Sequence, residues 1–302
     1  MRASGAHGQA RIRCGEDNMP PIVDLNGELV SADAAEVTVS DLGVLYGIGL
    51  FETMRSYAGR VFRFRQHLDR LLASAEKLKL PFQREMLPDE GRIVALLEAN
   101  DLSDARLRLT VSGGSPVEQG LKHMLLTTAV PLEPLPAEHY TRGVTVHVAS
   151  QVQQSTDPLI GHKTTCFWPR LQALHEAQQR GCAEALWFTE TRKLAEGSIS
   201  NVFVIKDGTA KTPPLDTPVL PGVTRAAVIE LCEREKIPCL QSPLTIDDLL
   251  DADEAFLCNC IMEIVPVCRV ERSAIGDEKV GPITTKLAEA YRALVNEAST
   301  AQ

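Results

Sequence analysis

At 302 residues, 44% apolar and 24% charged, the chain has the composition of a globular protein and enough length for one large domain or two smaller ones. A formal net charge of −9 gives no electrostatic reason to expect a nucleic acid or an anionic membrane as partner, and no apolar run approaches the roughly 18 residues that a spanning helix needs. Residues 1–18 are polar, lack the apolar stretch of a signal peptide and read as a disordered leader; the eight scattered cysteines, with no zinc-type CxxC pairs, then read as reduced thiols in a cytoplasm.

Taken in chain order, "IVDLNGELVS" at 22–31 is a hairpin turning at Asn26-Gly27, and "GLFETMRSYAGRVFRF" at 49–64 is a second one turning at Ala58-Gly59. In 65–80, Leu68, Leu71, Leu72, Ala75 and Leu78 recur at helical spacing. A helix near 88–100 and strands near 106–112 and 124–129 follow. The segment 131–143 is proline-rich and aperiodic, the best linker in the chain. Beyond it come a strand at 144–149, a helix over 170–181 ending on Gly181, and the strand "EALWFTE". A strand through Val202–Ile205 closes on the turn Lys206-Asp207-Gly208. A helix after Thr224, the strands "EAFLCN" and "EIVPVCRV" and a last helix through 285–295 complete the pattern. The fold class is α+β in two lobes: a small domain at 19–137, a linker at 138–143 and a large domain at 144–302. A cleft between lobes is the default place for a small-molecule site.

Four separated stretches carry chemistry. In "LIGHKTTCFW", Lys163 stands between a strand-forming run and a helix, either as a surface ammonium or as a desolvated amine fit for a Schiff base. In "LAEGSISNVFVIKDG", Glu196 and a Gly-Ser-x-Ser-Asn run precede a strand; the acid is solvated, caps a turn, or faces a pyridine ring whose nitrogen it keeps protonated. In "VLPGVTRAAVIELCERE", Gly222-Val223-Thr224 opens a helix whose free N–H groups, with the Thr224 hydroxyl, suit a phosphate. Arg70 in "HLDRLLAS" lies off the leucine stripe, as a surface charge or as a fork for a phosphate dianion. Cys258 and Cys260 would share one face of an alternating strand, and without a second pair they read as packed or site-lining thiols.

In this order, and with "YGIGLFETMR", "HLDRLLASAEKL", "LAEGSISNVFVI" and "LPGVTR", the chain from about Pro20 to its end resembles the class IV aminotransferases. These are the fold type IV pyridoxal-phosphate enzymes, which include branched-chain aminotransferases, D-amino-acid aminotransferases and 4-amino-4-deoxychorismate lyases. The resemblance implies a homodimer in which a small N-terminal α/β lobe and a larger β-barrel-like lobe with flanking helices hold pyridoxal 5′-phosphate between them. It implies that Lys163 is the Schiff-base lysine and general base. Glu196 becomes the partner of the pyridinium nitrogen, with Ser198, Ser200 and Asn201 setting that wall, and Arg70, Gly222, Val223 and Thr224 form the phosphate cup. It further implies amino-acid and 2-oxo-acid substrates and transamination of a branched-chain-like or D-amino acid. The alternatives are a lyase releasing pyruvate and 4-aminobenzoate, or a non-catalytic cofactor-binding protein.

Three positions depart from the family pattern. Trp168 stands where branched-chain enzymes place a tyrosine, Cys260 where a threonine meets the phosphate, and no arginine follows Ser112 in "RLRLTVSGGSPVEQG". Arg55 is the candidate replacement as a carboxylate clamp, facing either the site or Glu52. Tyr46, Phe51, Trp168, Ile261 and Met262 are candidates to line the substrate pocket, with core packing as the alternative for each.

Overall fold

Asn26 and Gly27 both adopt positive φ, 52° and 98°, and so close the hairpin between β1 (Ile22–Leu25) and β2 (Glu28–Ser31). The structure is a computed structural model that describes residues 20–118 and 120–300; the leader expected at 1–18 lies outside the described residues. Helix α1 (Leu42–Tyr46) follows, capped by the Asp41 carboxylate, which accepts from Gly43 N at 2.6 Å. Ala58 and Gly59, again at positive φ, join β3 (Gly49–Tyr57) to β4 (Arg60–Val61). Helices α2 (Phe64–Lys77) and α3 (Glu90–Ala99) come next, then β5 (Ala105–Ser112), the small hairpin β6 (Ser115–Val117) and β7 (Gly120–Lys122), and β8 (Leu125–Pro131).

These strands build an antiparallel sheet in the order β2-β1-β8-β5-β3-β4. The leucine stripe of α2 packs on it, Leu68, Leu71 and Ala75 meeting Leu50, Met54, Leu107 and Leu109 in one core with Ile93, Leu96 and Leu97 of α3. Because a strand alternates its faces, Phe51, Thr53 and Arg55 of β3 turn away from that core toward the second half of the molecule.

Helix α4 (Ala137–Thr141) occupies part of the segment whose prolines predict an aperiodic linker; five residues are too few to show a period. The second half then comprises β9 (Val144–Val148), α5 (Trp168–Gln179), β10 (Glu184–Phe188), β11 (Leu194–Gly197), β12 (Asn201–Lys206), β13 (Thr209–Thr212) and α6 (Val223–Arg234). It continues with β14 (Cys239–Gln241), α7 (Ile246–Leu250), β15 (Glu254–Asn259), β16 (Glu263–Val270), β17 (Ser273–Ala274) and α8 (Pro282–Thr300). Its mixed sheet runs β11-β10-β9-β16-β15-β12-β13-β14, with β17 on β16. The edge strand β11 leads directly into β12, well inside that order, and Gly197 N donates to Ser200 O at 2.7 Å across the join. Such a connection requires the sheet to curl on itself, which makes this half barrel-like.

Helices α6 and α8 cover one face of the curled sheet through Val228, Leu231, Leu287 and Tyr291, while α5 sets Ala173 and Ala177 against Ala185 and Trp187. The α+β arrangement, a smaller antiparallel half and a larger barrel-like half flanked by helices, is the one the sequence predicts. Among the described residues no helix is long and apolar enough to cross a membrane.

Phe203 on β12 and Phe256 on β15 stack with ring centroids 4.9 Å apart beneath α6 and α8, both fully buried. Replacing Phe256 by alanine should cost about 3–5 kcal/mol through the cavity it leaves. Urea unfolding reads this as a lower midpoint at unchanged slope.

Candidate active site

The segment after β9 is irregular, and what fixes it is the other half of the molecule. Phe51 N donates to Lys163 O at 2.9 Å and Thr165 N donates to Gly49 O at 3.0 Å, so the lysine segment is tacked to the start of β3. Lys163 Nζ consequently lies over two aromatic rings, 4.6 Å from the Phe51 centroid and 5.5 Å from that of Phe167. Burial, and after it the positive charge of Arg70, brings the ammonium down from its usual value to about 8. It opens into a cleft of ≈ 620 Å³ that it shares with Arg70, Glu196, Ser198, Ser200, Asn201, Gly222, Val223, Thr224 and Cys260. Eight of the residues the sequence singles out with the lysine are thus brought to one cleft with it, and so is Arg70 from the other half.

Glu196 sits inside the short strand β11 rather than before a strand; "LAEG" has no β-branched residue to mark it. Its carboxylate is buried. Oε1 accepts from Arg170 Nη2 at 2.7 Å, and Oε2 accepts from Leu220 N at 2.9 Å and, at the long limit of 3.5 Å, from Asn201 Nδ2. Asn201 Nδ2 also donates to Leu220 O at 3.0 Å, so the acid is tied to the turn that opens α6. That turn requires Gly222, where a Cβ would collide with Asn201 Oδ1. Glycine also leaves the helix without a side-chain cap, so the first N–H groups of α6 remain free for an anion.

Beneath the Gly-Ser-x-Ser run lies Glu184, which the sequence reading misses. It accepts from Ser198 N at 3.1 Å, Ile199 N at 3.3 Å and Ser200 Oγ at 2.9 Å, so Ser200 braces the loop through Glu184, as Ser198 does by receiving Trp187 Nε1 at 2.9 Å. Burial pushes the Glu184 carboxyl up to about 7 despite these donors. Cys260 donates its thiol proton to Thr53 O at 2.9 Å, and burial raises that thiol to about 11, so it is a neutral group at the cleft wall.

Several expected lining residues are elsewhere. Arg55 turns toward the second half but donates to Ile261 O at 3.1 Å and Glu263 Oε1 at 3.0 Å, away from both the cleft and Glu52. Met262 is buried in the core and Tyr46 is 69% exposed on α1; neither they nor Ile261 line the cleft. Phe51 lies under the lysine, and Trp168 lines the cleft while remaining 72% exposed.

Arg70 is not a surface charge. Its Nε donates to Glu52 Oε1 at 2.8 Å and Nη2 donates to Glu52 Oε2, while Nη1 reaches Pro221 O at 3.3 Å beside the start of α6. His67, one turn earlier on α2, places Nδ1 2.9 Å from Glu52 Oε2. Glu52 is 1% exposed. Burial alone would raise its carboxyl, but the charge of Arg70 and the hydrogen bonds from His67 and Arg70 outweigh it and hold the group at about 2. A folded-state value below the unfolded 4.5 contributes stability that is present above pH 4.5 and is lost as pH falls through about 2, about 3 kcal/mol in all. In urea unfolding, the stability gap between wild type and Glu52→Gln should therefore be widest near neutrality and narrow steadily as pH drops below about 4.5.

Residues 49–270 match the family described as amino-transferase class IV. A relative named "Putative branched-chain-amino-acid aminotransferase" from Methanocaldococcus jannaschii is 36% identical, with 89% of this chain and 94% of the relative aligned. The D-alanine aminotransferase of Listeria monocytogenes is 30% identical over 87% of this chain and 92% of its own length. The branched-chain aminotransferase of the thermophilic archaeon Thermoproteus uzoniensis, solved with norvaline, superposes with a TM-score of 0.81 at 33% identity, covering 91% of this chain and 94% of its own. With its fold and most of its length in common with these proteins, the chain belongs to the class IV aminotransferase family.

Proposed function

We propose that the protein is a pyridoxal 5′-phosphate-dependent aminotransferase that moves an amino group from an amino acid to a 2-oxo acid. The observation that carries this reading is the pairing of a half-buried lysine, brought down to about 8, with a buried carboxylate in one cleft that also holds an uncapped helix start. The residues fit the cofactor: Gly222, Val223 and Thr224, with Arg70, form an anion seat, and Glu196 keeps acceptor capacity beyond its three donors. When bound, pyridoxal 5′-phosphate supplies an aldehyde that takes up amines and a ring that accepts electrons.

The chain's own residues then divide the work. Lys163 is the amine that would anchor the cofactor and the base that would take the proton from the substrate Cα and deliver it to the former aldehyde carbon, as amino transfer requires. Its lowered value leaves a useful neutral fraction near pH 8. Glu196 would fix the ring nitrogen's proton, and Phe51 and Phe167 pack against the lysine amine. The relatives' names point to a branched-chain amino acid or D-alanine as donor. A homodimer agrees with the exposed Val39, Val44, Leu45, Tyr46 and Trp168, which a second copy would cover.

Titrating the apoprotein with the cofactor should produce a visible band whose rate of appearance rises with pH and levels off above about 8, the value at which Lys163 sheds its proton. Lys163→Ala should give no such band. Adding single amino acids without a 2-oxo acid should convert the band to a near-ultraviolet one and so name the donor. Pyruvate release from 4-amino-4-deoxychorismate without any such conversion would make the enzyme a lyase instead, and silence in both assays would defeat the catalytic reading.

A further inference from the structure

Arg170 enters the cleft from the first turn of α5 and has no part in the chemistry above. Its Nη2 donates to Glu196 Oε1 at 2.7 Å and to Gln153 Oε1 at 2.9 Å, and its Nη1 donates to Gly197 O at 3.0 Å. The guanidinium carbon lies 4.9 Å from the centroid of the Trp187 ring. Each of these partners is itself held: Gln153 donates to Pro218 O, and Trp187 donates to Ser198 Oγ. The side chains of Arg170 and Glu196 are 13% and 7% exposed, so the pair is shielded from water. Glu196 is the only acid within ion-pairing distance of Arg170 among the described residues. Arg70 on α2 and Arg225 on α6 also bring positive charge near Glu196, and neither forms an ion pair with it.

A carboxylic acid beside a neutral pyridine and a carboxylate beside a pyridinium differ only in which atom holds one proton. A guanidinium hydrogen-bonded to the carboxylate stabilises the second arrangement and not the first, and in a site closed to water that preference is strong. The place of the proton decides how far the ring can draw electrons from a substrate.

We propose that Arg170 is a positioning residue for Glu196: fixed by Gln153, Gly197 and Trp187, it keeps negative charge on the cleft-facing carboxylate and thereby keeps the proton on the ring nitrogen opposite. The inference rests on the reading that Glu196 meets that nitrogen.

The test loads wild type, Glu196→Gln, Arg170→Gln, Arg170→Lys and the double variant Glu196→Gln/Arg170→Gln with pyridoxal 5′-phosphate labelled with 15N in the ring. The nitrogen chemical shift and the cofactor dissociation constant are recorded for each. Wild type should give a shift in the protonated-pyridine range, and Glu196→Gln should move it to the neutral range. Arg170→Gln should also move it toward the neutral range and weaken cofactor binding about tenfold, whereas Arg170→Lys should restore most of both. In the Glu196→Gln background, removing the arginine should change neither quantity by more than about twofold, because the two residues act through one another. An Arg170→Gln protein with the wild-type nitrogen shift, or one whose affinity loss is as large without Glu196 as with it, would show that the arginine only braces the chain. A wild-type shift in the neutral range, or one that Glu196→Gln leaves in place, would overturn the ring-nitrogen reading itself.

Discussion

Two backbone hydrogen bonds across the molecule, Phe51 N to Lys163 O and Thr165 N to Gly49 O, are the contacts on which the cleft depends. The lysine belongs to an irregular stretch between β9 and α5 and has no strand or helix of its own to hold it. Antiparallel bridging to β3 supplies that support, and it places Phe51 under the ammonium in the same step. The strand that carries Phe51 on one face carries Glu52 on the other, toward α2. One strand therefore positions the lysine directly and, through Glu52, holds the nearby guanidinium of Arg70. Joining the two halves and building the site are one structural event.

The electrostatics of the cleft follow from the same economy of space. Three cationic side chains, Lys163, Arg70 and Arg170, line it, together with the carboxylates of Glu196 and Asp157. Each arginine is tied to its own buried acid, Glu52 for Arg70 and Glu196 for Arg170. Lys163 has no ion-pair partner among the described residues, and burial, together with the charge of Arg70, lowers it. Pairing two cations firmly while leaving the third desolvated is how a single cleft can keep fixed charges for binding and one amine free for chemistry.

How much of this the sequence discloses depends on whether a residue's role is local. The helix start at Gly222-Val223-Thr224 was legible because a glycine-opened helix terminus needs only a few consecutive residues. Hairpins at Asn26-Gly27 and Ala58-Gly59 were legible for the same reason, since positive φ is a local demand. The Glu52, His67 and Arg70 cluster was half legible: His67 and Arg70 lie one helical turn apart, but the acid between them arrives from a different element. Arg170 and Glu184 were not legible at all. Each is an ordinary charged residue on a helix or strand until a curled sheet brings Glu196 to one and the Gly-Ser-x-Ser loop to the other. Arg55 failed in the opposite way: strand alternation correctly turns it inward, yet Glu263, more than 200 positions later, captures it.

The position of Cys260 shows what such captures mean for binding. A threonine there would offer a hydroxyl to a phosphate, but the thiol is a neutral donor at physiological pH, raised by burial to about 11, and it is already engaged with Thr53 O across the join between the halves. A thiol is also a weak donor and acceptor beside a hydroxyl. What else the cleft wall offers an anion is the uncapped start of α6, the Thr224 hydroxyl and Arg70. Glu52, itself met by His67, fixes Arg70 from behind, so this guanidinium would need little reordering to meet a dianion. Residue 260 thus contributes to the seam that keeps the lysine in place, while Arg70, fixed through Glu52, and the uncapped start of α6 are the cleft groups suited to meet an anion.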